Sequence, residues 1–224
     1  MSQYFYLEKK NNRNEESINN FKDLFLNYKN NIPSLSESLY QMFKASKLDE
    51  YKINELTNDI IDKCKHIIEP KYNEIKNKYE KITKNEAYII CSYTCESIDN
   101  DYSPYKILNQ NLASNNKKND IKNISKYLYI FLRALRKIPR FYPPNKLLYL
   151  KITNKINITE EYNKGNQKTF WGFTLAFLYN ILRKNSDIKT IFTLGGDIWG
   201  YDIELFHYFG KKQILLEPEI KFII

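Results

Sequence analysis

The chain has 224 residues, of which 42% are hydrophobic and 15% aromatic, and its formal net charge is +9. This length and apolar content predict one domain, or one domain with an N-terminal extension, and provide enough apolar mass for a core. Glycine is scarce, with 6 residues, and no Walker-type or GxGxxG pattern is present. A glycine-rich phosphate-binding loop is therefore excluded.

The basic charge and the absence of apolar runs bear on partners and location. Residues 1–10 do not resemble a signal peptide, and no stretch approaches the ~18 apolar residues of a membrane span. We therefore expect a cytoplasmic protein with no membrane span. A positive charge can indicate binding to nucleic acid. The lysines are nevertheless spread along the whole chain, and the few arginines cluster only at Arg133, Arg136 and Arg140, which makes nucleic acid the less favoured partner.

Three cysteines are present, Cys64, Cys91 and Cys95. Cys91 and Cys95 are four residues apart on a predicted helix. The two histidines, His66 and His207, lie far away in sequence, so the usual mixed ligand set of a zinc site is missing. We interpret the cysteines as reduced thiols of an intracellular protein and expect no metal site.

Helical spacing of apolar residues dominates the chain up to residue 138. Pro33 ends a first helical stripe, and Ser34 or Ser36 can cap the next helix. Residues 49–79 read as helical with one interruption at Pro70, which should begin a second run. The apolar positions that carry these predictions are Ile18, Phe21, Phe25, Tyr28, Leu35, Leu39, Phe43, Ile53, Leu56, Ile60, Cys64, Tyr72, Ile75, Tyr79 and Ile82.

A capping box begins the next predicted helix. Thr83 precedes Glu86 by three residues, so each side chain can bond the other's amide. The helix that follows, residues 87–96, is apolar on most sides and should be buried. A turn at 99–104, a short helix at 105–112 and a solvated loop at 113–120 come next. The clearest helical stripe then runs from Ile124 to Ile138.

Strand-like segments occupy the last part of the chain. Residues 147–152, 169–177, 190–198 and 211–218 are short and rich in β-branched or aromatic side chains. Glycine, proline or asparagine lies at their boundaries. Helices first and strands last indicate an α+β fold, with an N-terminal helical region followed by a sheet.

The order of these elements resembles the arginine-type mono-ADP-ribosyltransferases, a family shared by animal ecto-enzymes and bacterial toxins. The resemblance covers residues 69–224, which would form the ADP-ribosyltransferase-like domain with a mixed β-sheet core, and leaves 1–68 as an N-terminal helical extension. The matching segments are Ile82-Thr83-Lys84-Asn85-Glu86-Ala87 with Tyr93-Thr94, then Tyr105-Lys106-Ile107-Leu108-Asn109, the 124–138 helix, Leu148-Tyr149, Phe170-Trp171-Gly172-Phe173-Thr174, Gly196-Asp197-Ile198, and Ile214-Leu215-Leu216-Glu217-Pro218.

The resemblance also implies where an NAD-dependent active site would lie. The family has an arginine that grips the NAD phosphates, and this chain has Leu150 there. The family's Ser-Thr-Ser segment corresponds to residues 175–177, beginning with Leu175. Its two catalytic glutamates correspond to Lys211 and Gln213. None of these positions keeps the functional group of the family.

These replacements remove charges on which the chemistry depends. Leucine cannot form a bidentate bond with a pyrophosphate. Gln213 can bond a ribose hydroxyl but carries no charge to stabilise the cation formed as nicotinamide leaves, a loss of about 3 kcal/mol or more of barrier lowering. Lys211 places a positive charge where a base is needed. A one-residue shift of the alignment would put Thr174 at the serine position.

Several aromatic residues near these positions are open to two interpretations. Trp171 and Phe173 belong to the family's NAD-site segment, with Thr174 and Leu175, but aromatic residues at strand spacing are commonly core. His207 and Tyr208 lie in the loop with which the family recognises its target, and together with Trp199 and Tyr201 they are candidates for partner binding. Trp199 can also be a core residue, and His207 can be a solvated loop residue. Arg140 is a candidate replacement for the lost arginine, and we interpret Glu217 as structural.

Three hypotheses follow. The favoured one is a pseudoenzyme of the ADP-ribosyltransferase fold that binds a protein partner, with weak NAD binding as an open question. The second is an active transferase or NAD glycohydrolase with a rearranged site. The third is a basic protein that binds nucleic acid or an anionic surface.

Overall fold

The computed structural model describes residues 25–114, 117–143, 147–152, 167–170, 172–178, 190–196, 198–208, 212–218 and 220–223. These residues divide into two compact units. The helical unit comprises the described residues between 25 and 139 together with 203–208, and the strand unit comprises those of 140–202 and 212–223. The predictions for residues 1–24 lie outside the described part of the chain.

Helix α1 spans Leu35–Lys44 and begins with a capping box. The Ser34 hydroxyl accepts a hydrogen bond from the Glu37 amide at 3.1 Å, and the Glu37 carboxylate accepts one from the Ser34 amide at 2.7 Å. Leu39 and Phe43 are fully buried on the inner face of the helix. Of the two predicted caps, Ser34 is therefore the one that the fold uses.

Replacing Ser34 by alanine is expected to lower the free energy of unfolding by about 1 kcal/mol, because the Glu37 amide loses its acceptor. Chemical denaturation of the two proteins measures this difference. Ser36→Ala is the matched control, since Ser36 is also an exposed serine near the start of α1 and caps no amide there. Equal effects of the two substitutions would contradict the assignment of the cap.

Helix α2 spans Glu50–Lys78 without a break, and Pro70 lies inside it. The predicted interruption at Pro70 is therefore wrong. Proline removes one amide donor from the helix, but Pro70 is exposed, so water can satisfy the carbonyl that loses its partner. Ile68 and Ile75 are fully buried on either side of it. Burial of both halves of the apolar stripe keeps the helix continuous through a residue that disfavours it.

Because Pro70 occupies a helix interior, Pro70→Ala is expected to raise the free energy of unfolding by roughly 1–2 kcal/mol. The helical cost of proline is about 3 kcal/mol, and the more flexible unfolded chain of the alanine variant offsets part of the gain. Thermal and urea denaturation measure the change, with exposed Asn73→Ala on the same helix as control. A destabilised Pro70→Ala protein would show that the proline is favourable where it lies.

Three further helices complete the helical unit: α3 (Lys84–Thr94), α4 (Pro104–Leu112) and α5 (Lys117–Leu135), with a 3₁₀ turn at Asn100–Tyr102 before α4. The capping box of Thr83 and Glu86 is confirmed at the start of α3. As predicted, α3 is buried along most of its length, and the stripe of α5 from Ile124 to Leu135 faces the core.

The loop predicted over residues 113–120 is wrong in its second half, because α5 already begins at Lys117. Asp120 lies in the first turn, where its negative charge interacts favourably with the positive end of the helix dipole. Ile121 is fully buried, so the apolar stripe begins one turn earlier than Ile124. Because the residues of this turn are polar, the spacing of apolar residues does not predict that it is helical.

The strand unit contains eight strands among the described residues: β1 (Arg140–Phe141), β2 (Leu147–Ile152), β3 (Gln167–Phe170), β4 (Thr174–Ala176), β5 (Thr190–Gly195), β6 (Gly200–Asp202), β7 (Ile214–Leu216) and β8 (Ile220–Ile223). One sheet has the order β1-β6-β7-β4, and the pairs β2-β5 and β3-β8 form two-stranded sheets. A bridge between Tyr149 and Phe177 joins β2 to the end of β4.

Helices followed by strands confirm the α+β prediction. All the strand pairs that the structure describes are antiparallel, whereas a mixed sheet was expected. The segment predicted as one strand over 169–177 is divided between β3 and β4, and β1, β6 and β8 were not predicted. The predicted domain boundary after residue 68 lies inside α2. That boundary was based on the family resemblance, which the division into two spatial units does not test. The boundary therefore stays a prediction.

Gly200 shows why β6 can lie close to β7. A Cβ atom at this position would lie 2.5 Å from Ile214 Cγ2 and 2.6 Å from the Leu215 carbonyl oxygen. Any larger residue would separate the two strands. The glycine is thus required by the packing that holds Gln213 and β7 in place.

Candidate functional site

The family's arginine position, Leu150, lies in the middle of β2. It pairs with Phe192 of β5, and Leu148 pairs with Leu194, in one antiparallel register. Residues two apart on a strand share a face, so Leu148 and Leu150 point to the same side, and both are fully buried. The Tyr149 side chain points to the opposite face, and its backbone exchanges two hydrogen bonds of 2.8 Å with Phe177 along the edge of β2.

Leu150 belongs to an apolar cluster rather than a polar cleft. Its members are Leu148, Leu150, Ala176, Leu178, Leu194, Ile214 and Leu216, with Phe141, Phe192 and Ile198 packed against them. They come from β2, β4, β5 and β7 and from Leu178 just after β4, and two of these strands, β2 and β4, carry the predicted site positions Leu150 and Leu175. A cluster of aliphatic side chains offers no group that binds a phosphate. At this position the residues present therefore build a hydrophobic core.

The serine segment of the resemblance is buried in the same way. Leu175 is 5% exposed and Ala176 is fully buried in β4, and β4 pairs with β7. Thr174, the alternative serine position, is also buried, and its hydroxyl donates to the Gly172 carbonyl at 3.3 Å. Phe173 is buried, in agreement with its interpretation as core. Trp171 lies outside the described residues.

Gln213 is the predicted catalytic position that the structure describes. It directly precedes β7 and is 3% exposed, and its side-chain oxygen Oε1 accepts no hydrogen bond from any residue that the structure describes. A buried amide oxygen without a donor costs about 1–3 kcal/mol. Lys211, the other predicted catalytic position, lies outside the described residues.

Glu217 has a structural role, as interpreted from the sequence. Its Oε1 accepts a hydrogen bond of 2.7 Å from the Tyr201 hydroxyl. This bond joins β6 to the segment after β7. Tyr201 is 3% exposed, so its side chain is held inside the strand unit.

Arg140, the candidate replacement for the family's arginine, stacks on Trp199. Its guanidinium carbon is 3.8 Å from the centroid of the Trp199 ring, a cation–π distance. Trp199 in turn meets Tyr201 edge to face at 5.9 Å. Arg140 is exposed, Trp199 is half-buried, and the nearby Tyr142 is 59% exposed. Together Arg140, Tyr142 and Trp199 form a surface at the β1 edge of the four-stranded sheet, called the edge patch below.

His207 and Tyr208 follow a 3₁₀ turn at Glu204–Phe206 that belongs to the helical unit. His207 is only 1% exposed, so its interpretation as a solvated loop residue is wrong. The Tyr208 amide donates to the Thr94 hydroxyl at 2.8 Å, and Phe206 stacks on Tyr79 at 5.7 Å. Through these contacts the segment packs against the end of α2 and against α3. A role of His207 and Tyr208 in partner binding stays a prediction.

A second group of chemically reactive side chains lies in the helical unit and was not assembled from the sequence. The sulfur atoms of Cys64, Cys91 and Cys95 all lie within 4.8 Å of one another, and all three residues are fully buried. Cys64 comes from the buried stripe of α2, and the other two come from α3 and its C-cap. The helical stripe and the spacing of four residues were the signals available. No sequence pattern says that the two faces meet.

Two further findings concern the described residues as a whole. The three cysteines are free, without a disulfide among them. None of the described helices has both the length and the apolar character that a membrane crossing needs.

The fold is similar to that of bacterial effectors of known structure. ADP-ribosyltransferase HopU1 of Pseudomonas syringae pv. Tomato DC3000 matches with a TM-score of 0.56 and 13% identity, over 74% of this chain and 80% of that one. Type III effector XopAI from Xanthomonas axonopodis pv. citri matches with a TM-score of 0.56 and 12% identity, over 93% and 84%. An N-terminally truncated form of XopAI matches with 0.55 and 15%, over 92% and 88%. The sequence matches no family model and no curated protein. The chain therefore has the ADP-ribosyltransferase fold, established at the level of the fold alone.

Proposed function

We propose that this protein is a pseudoenzyme of the ADP-ribosyltransferase fold that acts in the cytoplasm by binding a protein partner. The observation that carries the proposal is the full burial of Leu150 in an aliphatic cluster. Catalysis in the arginine-type family would need a phosphate-binding arginine there. A charged substrate group would instead meet leucine and alanine side chains from four strands, at a large desolvation cost.

The replacement of the glutamate by Gln213 supports the same conclusion. A neutral amide leaves a developing cation without its nearest negative charge, and such electrostatic contacts are usually the largest contribution to catalysis. The arginine that Leu150 replaces and the glutamate that Gln213 replaces would both stabilise the same transition state. Loss of either one would reduce turnover by about 10²-fold or more.

The edge patch supports the partner-binding part of the proposal. Tryptophan, tyrosine and arginine are the residues that most often dominate binding energy in protein interfaces. Trp199 and Arg140 hold each other in place through their stacking, so little side-chain entropy is lost on binding. We propose Trp199 as the anchor of this surface. Tyr201 is buried beside Trp199, which makes it a support of the anchor rather than a contact.

A weak NAD interaction is a second candidate function, favoured by one observation. The Gln213 Oε1 atom accepts no hydrogen bond from the described residues, and a ribose hydroxyl is a donor of suitable chemistry. Binding without turnover would make the protein an NAD-responsive scaffold.

The catalytic part of the proposal is tested by incubation with labelled NAD and the arginine analogue agmatine, with an active arginine-specific transferase as positive control. Calorimetric titration with NAD is made on the same preparation. We expect no transfer of label and no release of nicotinamide. Transfer at a rate comparable with the positive control would overturn the proposal and favour a rearranged active site.

Affinity capture tests the partner-binding part, with wild type compared with Trp199→Ala and Arg140→Ala. We expect both substitutions to reduce capture of the same protein by tenfold or more, the effect of losing about 1.4 kcal/mol. Tyr51→Ala is the matched control, because Tyr51 is an aromatic residue of the helical unit that is 80% exposed. Equal capture by all four proteins would show that the edge patch is not the binding surface.

A further inference from the structure

The cysteine cluster of the helical unit has the geometry of a soft-metal site. Cys64 Sγ and Cys95 Sγ are 3.9 Å apart, and no pair of the three sulfur atoms is separated by more than 4.8 Å. A metal at about 2.3 Å from each of three sulfur atoms places the sulfur atoms roughly 4 Å apart. A shift of less than 1 Å would therefore bring all three thiolates onto one ion.

Helices position two of the three ligands, and the third caps a helix. Cys91 lies in α3 and Cys95 follows one helical turn later as the C-cap residue, so both lie toward the same face at the end of α3. Cys64 lies on the buried stripe of α2, which packs against that face. Sites built on helices hold their ligands more precisely than sites on loops. The cluster is thus already assembled before any metal binds.

We propose that Cys64, Cys91 and Cys95 bind one Cu(I) ion as a three-coordinate thiolate site. Thiolates select soft ions such as Cu(I) and Zn(II). Structural zinc is almost always four-coordinate, and no fourth histidine, cysteine, aspartate or glutamate joins the group among the described residues. All three cysteines are fully buried, so water is a poor fourth ligand. Cu(I) accepts three sulfur ligands in a plane without a fourth.

Thiolates rather than thiols are the ligands that a metal ion takes. Binding would therefore displace the thiol protons to solvent, and the copper would stay Cu(I), so no oxidant is required.

The test is simplified because these are the only 3 cysteines of the chain. Reduced protein is titrated anaerobically with Cu(I) in the presence of a coloured Cu(I) chelator, bathocuproine disulfonate. We expect one ion removed from the chelator per chain. Copper X-ray absorption of the wild-type protein is expected to show three sulfur ligands. This second measurement does not depend on any variant being folded.

Single alanine substitutions of the three cysteines identify the ligands. Each is expected to reduce Cu(I) affinity by more than about 100-fold, since even changes behind the ligands cost 10- to 100-fold. Circular dichroism and thermal melting without metal show whether each variant folds. His66→Ala is the matched control, because this exposed imidazole lies two residues from Cys64 on α2; its affinity should equal that of wild type.

Four results would overturn the proposal. They are failure of the wild type to compete with the chelator, fewer than three sulfur ligands in the absorption spectrum, wild-type affinity in a folded cysteine variant, and displacement of Cu(I) by an equal amount of Zn(II). The proposal concerns the helical unit and does not depend on the proposed function.

Discussion

Leu150→Arg is expected to lower the free energy of unfolding by about 3–5 kcal/mol and to restore no ADP-ribosyltransferase activity. The guanidinium would enter a cluster of aliphatic side chains in which Leu150 is fully buried. A buried charge without a partner is among the most destabilising of single substitutions. Urea denaturation measures the loss of stability, and the agmatine assay measures activity in whatever fraction stays folded.

Leu150→Met is the matched control for this substitution. It keeps the volume and the apolar character of the side chain, so its cost should stay below about 1.5 kcal/mol. A Leu150→Arg protein with wild-type stability and measurable NAD binding would contradict the structure. It would mean that this face of β2 opens to a cleft, and that the core described here is a closed state of an NAD site.

Gln213→Glu tests the glutamate position of the resemblance separately from the arginine position. The carboxylate would be buried where Gln213 Oε1 now accepts no hydrogen bond from the described residues. Restoring the charge without Leu150→Arg would therefore give a protein that is less stable at neutral pH than at acid pH, where the new carboxyl is protonated. No gain of activity is expected, because Leu150, which corresponds to the family's phosphate-binding arginine, is unchanged.

Local signals account for the parts of the fold that the sequence predicts well. The cap at Ser34, the capping box of Thr83 and Glu86, and the stripe of α5 depend on residues three or four apart. Such spacing predicts which face of a helix is apolar and needs no knowledge of contacts with the rest of the chain. Predictions for α1, α3 and α4 therefore agree with the structure.

Long-range packing accounts for what was missed. Strands β1 and β6 have only two or three residues, too few for any alternation, and exist because they pair with each other and with β7. Pro70 is tolerated inside α2 because the buried residues on both sides hold the helix together. The sequence identifies leucine at position 150, but only the register of β2 with β5 places it in the core.

Glu86→Gln is expected to lower the free energy of unfolding by roughly 2–3 kcal/mol at pH 7. The Glu86 carboxylate is nearly fully buried and accepts hydrogen bonds from Arg133 Nε at 3.0 Å, Lys137 Nζ at 2.6 Å and the Thr83 amide at 2.8 Å. The glutamine amide would replace one oxygen acceptor by a donor that faces a cation. The expected loss of unfolding free energy is smaller than that for a fully buried ion pair, because Arg133 and Lys137 are partly exposed to solvent.

The stability contributed by Glu86 should depend on pH in a defined direction. Burial opposes ionisation of this carboxyl, but the bonds from Lys137, Thr83 and Arg133 together lower its pKa below the ordinary glutamate value. A lowered pKa means that the unfolded chain takes up the proton first as the pH falls. The contribution is complete above the ordinary glutamate pKa and disappears as the pH falls through the lower folded-state value. The difference between wild type and Glu86→Gln should shrink over that range.

Glu37→Gln provides the matched comparison, because Glu37 occupies the same place in the capping box of α1. Its carboxylate is exposed and accepts from the Ser34 amide, and no ion pair with it is present among the described residues. The effect of this substitution should stay below about 1 kcal/mol. If both glutamine variants lost the same small stability at pH 7, the carboxylate of Glu86 would be acting only as a helix cap. A larger loss for Glu86→Gln that fades in acid would instead identify the bonds from Arg133 and Lys137 as the link that fastens α5 to the start of α3.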